Sequence, residues 1–215
     1  MNGQRVFGWA EVAFDGAYLL TALSLGGVLI GRGDPAARLA GIMAFALAFG
    51  DAFHLAPRML TAARPDKRPA AALGAGKLVT SITMTVFYVL LWHVGTLCFA
   101  PGGLTGWTAV VYALAACRIV LCLCPQNRWL DARPPVVWGI YRNVPFLLLG
   151  MMVAGLFLAN READPGIRSM GPAIVFSFAC YLPVVLFAEK NPRLGMLMLP
   201  KTCAYVWMLT LCLSL

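Results

Sequence analysis

Apolar residues run along this chain in seven long blocks separated by short polar connectors. The blocks cover residues 11–31, 38–60, 77–98, 106–124, 136–158, 170–188 and 196–215. About 20 mostly apolar residues suffice for a helix to cross the hydrocarbon core of a bilayer. The connectors hold the punctuation: RGDPAAR, TAARPDKRPAAALGAG, APGGLTG, PQNRWLDARPP, NREADPGIR and EKNPRLG. Lipid offers no partner to a backbone N–H or C=O, so blocks of this length predict helices, whose backbone groups pair internally. The expected fold is therefore all-α: one polytopic transmembrane helix bundle of about seven spans, a single domain over 1–215. No soluble domain fits between the blocks, and no strong internal repeat stands out.

Composition agrees. Of 215 residues, 60% are hydrophobic and 12% charged, and mean hydropathy is +0.78. A soluble domain carries about 25% charge. The net charge of +8 would suggest nucleic acid in a soluble protein, but here it suits loops facing an anionic membrane surface, and nucleic acid is not an expected partner. The basic residues also orient the chain. Arg5, Arg58, Arg64, Lys67, Arg68, Lys77, Arg118, Arg128, Arg133, Arg142, Lys190, Arg193 and Lys201 share one side, thirteen against four (Arg32, Arg38, Arg161 and Arg168) on the other. The N-terminus is thus expected in the cytoplasm and the C-terminus outside, in a bacterial inner (plasma) membrane. A secretory signal peptide is not expected, because Glu11 and Asp15 interrupt the first apolar block without a small-residue cleavage site.

The second block ends in GDAFHLAPRML, residues 50–60, where Asp51, His54 and Arg58 lie on one helical face at i, i+3 and i+7. Pro57 brings no N–H and leaves a backbone carbonyl to be satisfied elsewhere. The first block adds Glu11, Asp15 and Tyr18, and the third a stripe of Lys77, Ser81, Met84 and Tyr88 beside Thr80 and Thr83. Arg118, the run Tyr141-Arg142-Asn143, and Lys201 come from the fourth, fifth and seventh. With alternating helix directions, all fall in the cytoplasmic half. Ionisable groups within membrane helices are rare and mark function by default. The plainer reading of Arg58, Lys77 and Lys201 is snorkelling to the headgroups from nearby helix ends. Asp15 and Asp51 are too short for that, although an Asp51–Arg58 or Asp15–Arg118 ion pair would explain them structurally. The gathering as a whole predicts a basic, cytoplasm-facing polar cavity, with Asp51, Asp15 and His54 as candidate acid/base groups. Arg58, Lys77, Ser81, Tyr88, Arg118, Arg142, Asn143 and Lys201 are candidate ligand-binding groups. Such a lining suits a membrane lipid or small anionic amphiphile whose phosphate pairs with Arg or Lys.

Several chemistries are not expected. His93 lies 16 residues beyond Lys77, about 24 Å along a helix, so a metal shared with His54 is not expected, and no metal or other cofactor is anticipated. A Schiff-base amine at Lys201 is not expected either, because that residue lies close to the membrane edge. The GxSxG elbow of serine hydrolases is absent. Most cysteines sit in apolar runs, where a thiol is a small hydrophobe; a Cys98–Cys212 disulfide stays open. The Gly27/Gly31 pair fits internal packing or a homodimer equally.

Gly50-Asp51 followed by Pro57-Arg58 resembles the Gly-Asp helix of the YhhN-type lysoplasmalogenase family of multi-span membrane proteins. GAGKLVTSITMTVFY, Gly74 to Tyr88, is similar to the helix that follows, and GPAIVFSFACYLPVVLF and KTCAYVWML resemble its last two helices. The resemblance implies an intramembrane hydrolase of lysophospholipid or lysoplasmalogen type, with Asp51 as the first acid. The family's second acid, in a Ser-Asp pair, has no counterpart in Phe176-Ser177-Phe178-Ala179-Cys180, and Thr85 or a neighbour replaces its third-helix histidine. Family members usually have about eight spans, against seven blocks here. The alternatives are a non-enzymatic carrier or receptor for a small anionic metabolite or lipid, and a bundle whose charges are only ion pairs. The orientation is directly testable: a periplasm-dependent phosphatase reporter fused after Leu215 should be active, and the same reporter fused before Met1 silent. The reverse pattern would refute the orientation.

Overall fold

The computed structural model describes residues 2–63, 70–99, 104–131, 134–187 and 191–215. They form α1 (Asn2–Gly31), α2 (Pro35–Ala63), α3 (Ala70–Phe99), α4 (Thr105–Leu123), α5 (Val136–Ala159), α6 (Met170–Phe187) and α7 (Met198–Leu211). Among the described residues there is no strand. Seven stretches are long and apolar enough to span a bilayer, from Val12–Gly31 to Arg193–Ser214. The chain is accordingly a multi-pass membrane protein of about seven spans. Apolar side chains cover the outside of the bundle, Leu20, Val28, Phe49, Val120 and Met151 among them, as a lipid-facing surface requires.

The helix ends follow the local chemistry of the connectors. Between α1 and α2, Gly33 takes a positive φ of 80°, which only glycine adopts without strain. Asp34 then caps α2, its carboxylate accepting the Ala37 N–H at 2.9 Å. Between α5 and α6, Arg161 donates to the Glu162 carboxyl at 2.9 Å, and that guanidinium holds Glu162 below its ordinary value. The last span differs from a continuous helix over 196–215. It enters through a 3₁₀ stretch, Pro192–Leu197, continues as the 14 residues of α7 and ends in another 3₁₀ turn, Cys212–Ser214. Pro200, in the first turn of α7, has no N–H to give the Met196 carbonyl, and its ring crowds that carbonyl. The tighter 3₁₀ winding just before it accommodates both facts.

The closest helix contacts run along α1–α2 and α2–α3, where glycines face backbone. A Cβ on Gly41 would lie 2.8 Å from the Gly26 carbonyl oxygen. Gly27 and Gly31, by contrast, face open space, so the internal-packing reading of that pair falls and the seam uses Gly26 and Gly41 instead. Across α2–α3, Gly50 meets the Thr83 side chain, and Gly76 faces the Phe53 carbonyl and the His54 Cα. Phe53 is the residue four before Pro57, whose missing N–H leaves this carbonyl outside the helix ladder. Thr80 adds a direct bond, its hydroxyl donating to the Gly50 carbonyl at 2.8 Å. The core between α3, α5, α6 and α7 is aromatic: Phe87, Tyr88, Phe146, Phe178 and Tyr205 meet edge-on or tilted with ring centroids 5.1–5.5 Å apart. Cys98 and Cys212 are free thiols.

The seam makes a prediction. A side chain at Gly76 would strike α2 backbone, which cannot swing aside, so Gly76→Val should destabilise the detergent-solubilised protein by about 3 kcal/mol. Gly27→Ala, into open space, should stay within about 0.5 kcal/mol. Equal losses of Tm in the two variants would contradict the packing described.

Candidate functional site

Antiparallel order brings the C-terminal halves of α2, α4 and α6 to the same end as the N-terminal halves of α1, α3, α5 and α7. Asp15, Asp51, His54, Lys77, Arg118, Arg142 and Lys201 lie at that end, in two adjoining chambers. The first, of about 370 Å³, lies between α1, α2 and the start of the last span and is walled by Phe14, Asp15, Asp51, His54, Leu55, Met196 and Tyr205. The second, of about 340 Å³, lies among α3, α4, α5 and α6 and is walled by Lys77, Ser81, Arg118, Trp129, Arg142 and Tyr181. His54, Thr80, Met198 and Lys201 line both. One chamber thus carries carboxylates and the other cations, with a lysine on their common wall.

In the acidic chamber, Tyr18 of α1 donates its hydroxyl to Asp51 Oδ2 at 2.6 Å. Asp15 is buried one helical turn from Tyr18. The structure brings Asp15, Asp51 and His54 together here, as their helical spacings suggest. Arg58 is in α2, but its side chain, like that of Glu11, lies outside the described residues.

Two arginine–ring contacts organise the basic chamber. Arg118 is 2% exposed, with its guanidinium carbon 3.4 Å from the Phe146 ring centre. Its Nε and Nη1 are buried without a hydrogen-bond partner among the described residues. It packs on Phe146 across the bundle and does not form the ion pair with Asp15 that would have made it purely structural. Arg142 stacks over Trp129 at 4.1 Å and donates to Asn127 Oδ1 at 2.8 Å. Asn127 in turn caps α4: its amide nitrogen donates to the carbonyls of Leu121, Cys122 and Cys124. The last carbonyls of a helix need such donors, and Trp129 Nε1 supplies another to Cys122 at 2.8 Å. The loop after α4 therefore closes the helix and seats an arginine at once.

Lys201 corrects the sequence reading. It is 8% exposed and turned into the bundle, not outward as a snorkelling side chain would be. Its Nζ sits between two rings, 4.8 Å from Tyr181 and 4.9 Å from Tyr205. The reason is its place in the first turn of α7: the preceding 3₁₀ stretch turns that face inward, and Tyr205 stacks one turn below.

The other candidates divide. Lys77 and Ser81 line the basic chamber, Ser81 donating to the Lys77 carbonyl at 2.7 Å. Tyr88 lies deeper, in the aromatic core, and lines neither chamber. Asn143 lies behind the wall, taking the Tyr181 hydroxyl at 2.7 Å and donating to the Gly139 carbonyl. His93 is hydrogen-bonded to Tyr112 at 2.7 Å, far from His54. Sequence reasoning missed Asn127, Trp129, Tyr181 and Tyr205. Only Tyr205 left a signal, four residues after Lys201. Comparison with protein-family models, with curated proteins and with solved structures returned no match.

Asn127→Ala should remove the α4 cap and the Arg142 anchor together. The expected loss is about 2 kcal/mol, at the upper end for buried hydrogen bonds because several carbonyls lose their donor. An unchanged thermal unfolding midpoint would contradict the capping role.

Proposed function

We propose that the joined chambers bind a single-chain anionic amphiphile of the lysophospholipid or lysoplasmalogen class and hydrolyse it. The observation that carries this reading is Arg118. A guanidinium buried in a membrane bundle with two nitrogens unpartnered among the described residues is costly, and a phosphate oxygen at the chamber it lines would relieve that cost. Arg142 and Lys77 line the same chamber and would share the charge. The first chamber is walled largely by apolar side chains such as Phe14, Leu55, Met196 and Leu199, a surface suited to the chain of such a ligand. Asp51, held by Tyr18, would exchange protons with the scissile bond. His54 or Asp15 would activate water, since hydrolysis needs one group that donates and another that accepts.

A carrier or receptor is the second reading. The feature favouring it is the 3₁₀ stretch Pro192–Leu197, whose Gly195 and Met196 wall the acidic chamber, because interrupted helices beside a binding site recur in transporters.

One experiment separates the two. The purified protein is incubated with lysophospholipids, a lysoplasmalogen among them, and both binding and products are followed by mass spectrometry. Arg118→Gln should weaken binding about thirtyfold, equivalent to ~2 kcal/mol of charge-assisted hydrogen bonding. Asp51→Asn should keep binding but slow turnover by about 10²-fold or more. Binding without product, together with flux of the ligand across liposomes, would establish the carrier instead.

A further inference from the structure

The proposed lipid reaction assigns no chemistry to Lys201, yet this lysine is buried on the wall of both chambers. Its amine lies on the wall common to both chambers, between the faces of Tyr181 and Tyr205. The side chain is almost wholly removed from solvent. Arg118, a second cation, stands in the same chamber wall, and Asp51 stands across the other. No ion pair ties the amine down: the side-chain ion pairs among the described residues are Arg128–Asp131 and Arg161–Glu162, both exposed. Lysines that attack carbonyl carbons share these surroundings, a desolvated pocket and a neighbouring cation.

We propose that Lys201 captures an aliphatic aldehyde as an imine, with Asp51 carrying the proton. The amine lone pair attacks the carbonyl carbon, forming a C–N bond as the C=O π pair moves to oxygen. Asp51 takes a proton from nitrogen and returns it to that oxygen. The carbinolamine then loses its hydroxyl with a second proton, C=N replaces C–O, and one water leaves. The sum is amine plus aldehyde giving imine plus water, with no redox partner. Apolar side chains in the first chamber (Phe14, Leu55, Leu199) suit an alkyl chain, and the two tyrosine rings limit the water that would reverse the reaction.

The test uses competition within one molecule. The full-length protein in lipid bilayers is exposed to decanal and sodium cyanoborohydride, which reduces an imine to a stable secondary amine. Peptide mass spectrometry then compares Lys201 with Lys77, which is exposed and lines the second chamber only. Lys201 should be alkylated about tenfold faster than Lys77 despite its burial, as an activated amine is. Asp51→Asn should slow labelling of Lys201, but not of Lys77, by about 10²-fold. No labelling at Lys201, or labelling no faster than at Lys77, would overturn the proposal. Neither result depends on lysophospholipid turnover, so the hydrolase reading stands or falls separately.

Discussion

The close approach of α2 and α3 is the constraint on which the rest of the structure depends. Pro57 withdraws one N–H from α2 and leaves the Phe53 carbonyl outside the helix ladder, within a membrane that offers no water. Gly76, lacking a side chain, lets the α3 backbone come up to that carbonyl, while Gly50 accepts Thr83 and the Thr80 hydroxyl one turn above. This seam sets the depth of Asp51 and His54 relative to Lys77, Thr80 and Ser81. Acids and cations thereby meet at one level of the bundle.

A second constraint acts at the far side of the site. Helix α4 ends inside the bundle's polar region, and its terminal carbonyls need donors. Asn127 and Trp129 supply them and, by facing back, hold Arg142 through a hydrogen bond and a ring face. Arg118 is treated differently. It is pressed on Phe146 with part of its hydrogen-bonding capacity unused. Arg142 thus has a hydrogen-bonded anchor and a ring beneath it, whereas two of the Arg118 nitrogens have no hydrogen-bond partner among the described residues. The contrast between these two arginines is the strongest structural reason to look for an anion.

The two chambers also separate two kinds of chemistry. Carboxylates with a tyrosine partner lie on one side and guanidinium groups on the other. A ligand spanning both would meet proton-exchanging groups and charge-binding groups at different atoms. Lys201 stands where the two meet, and the 3₁₀ entry to the last span puts it there.

Hydropathy alone determined the spans, because lipid selects for apolar length and internal hydrogen bonding whatever the neighbours do. Helical spacing likewise determined that Asp51 and His54 share a face, that Asp15 and Tyr18 lie one turn apart, and that these groups fall at a common depth. Which side chain turns inward was a matter for the tertiary structure. Lys201 and Lys77 look alike in sequence, both near the start of a helix, yet one is buried between rings and the other exposed. Tyr88 continues the stripe begun by Lys77 and Ser81, but that stripe passes below the chamber floor into the aromatic core. Gly26 and Gly41, not Gly27 and Gly31, form a seam, because the rotation of a helix about its axis is set by the helices packed against it. The division into an acidic and a basic chamber arose the same way, from helices distant in sequence closing around a shared lysine.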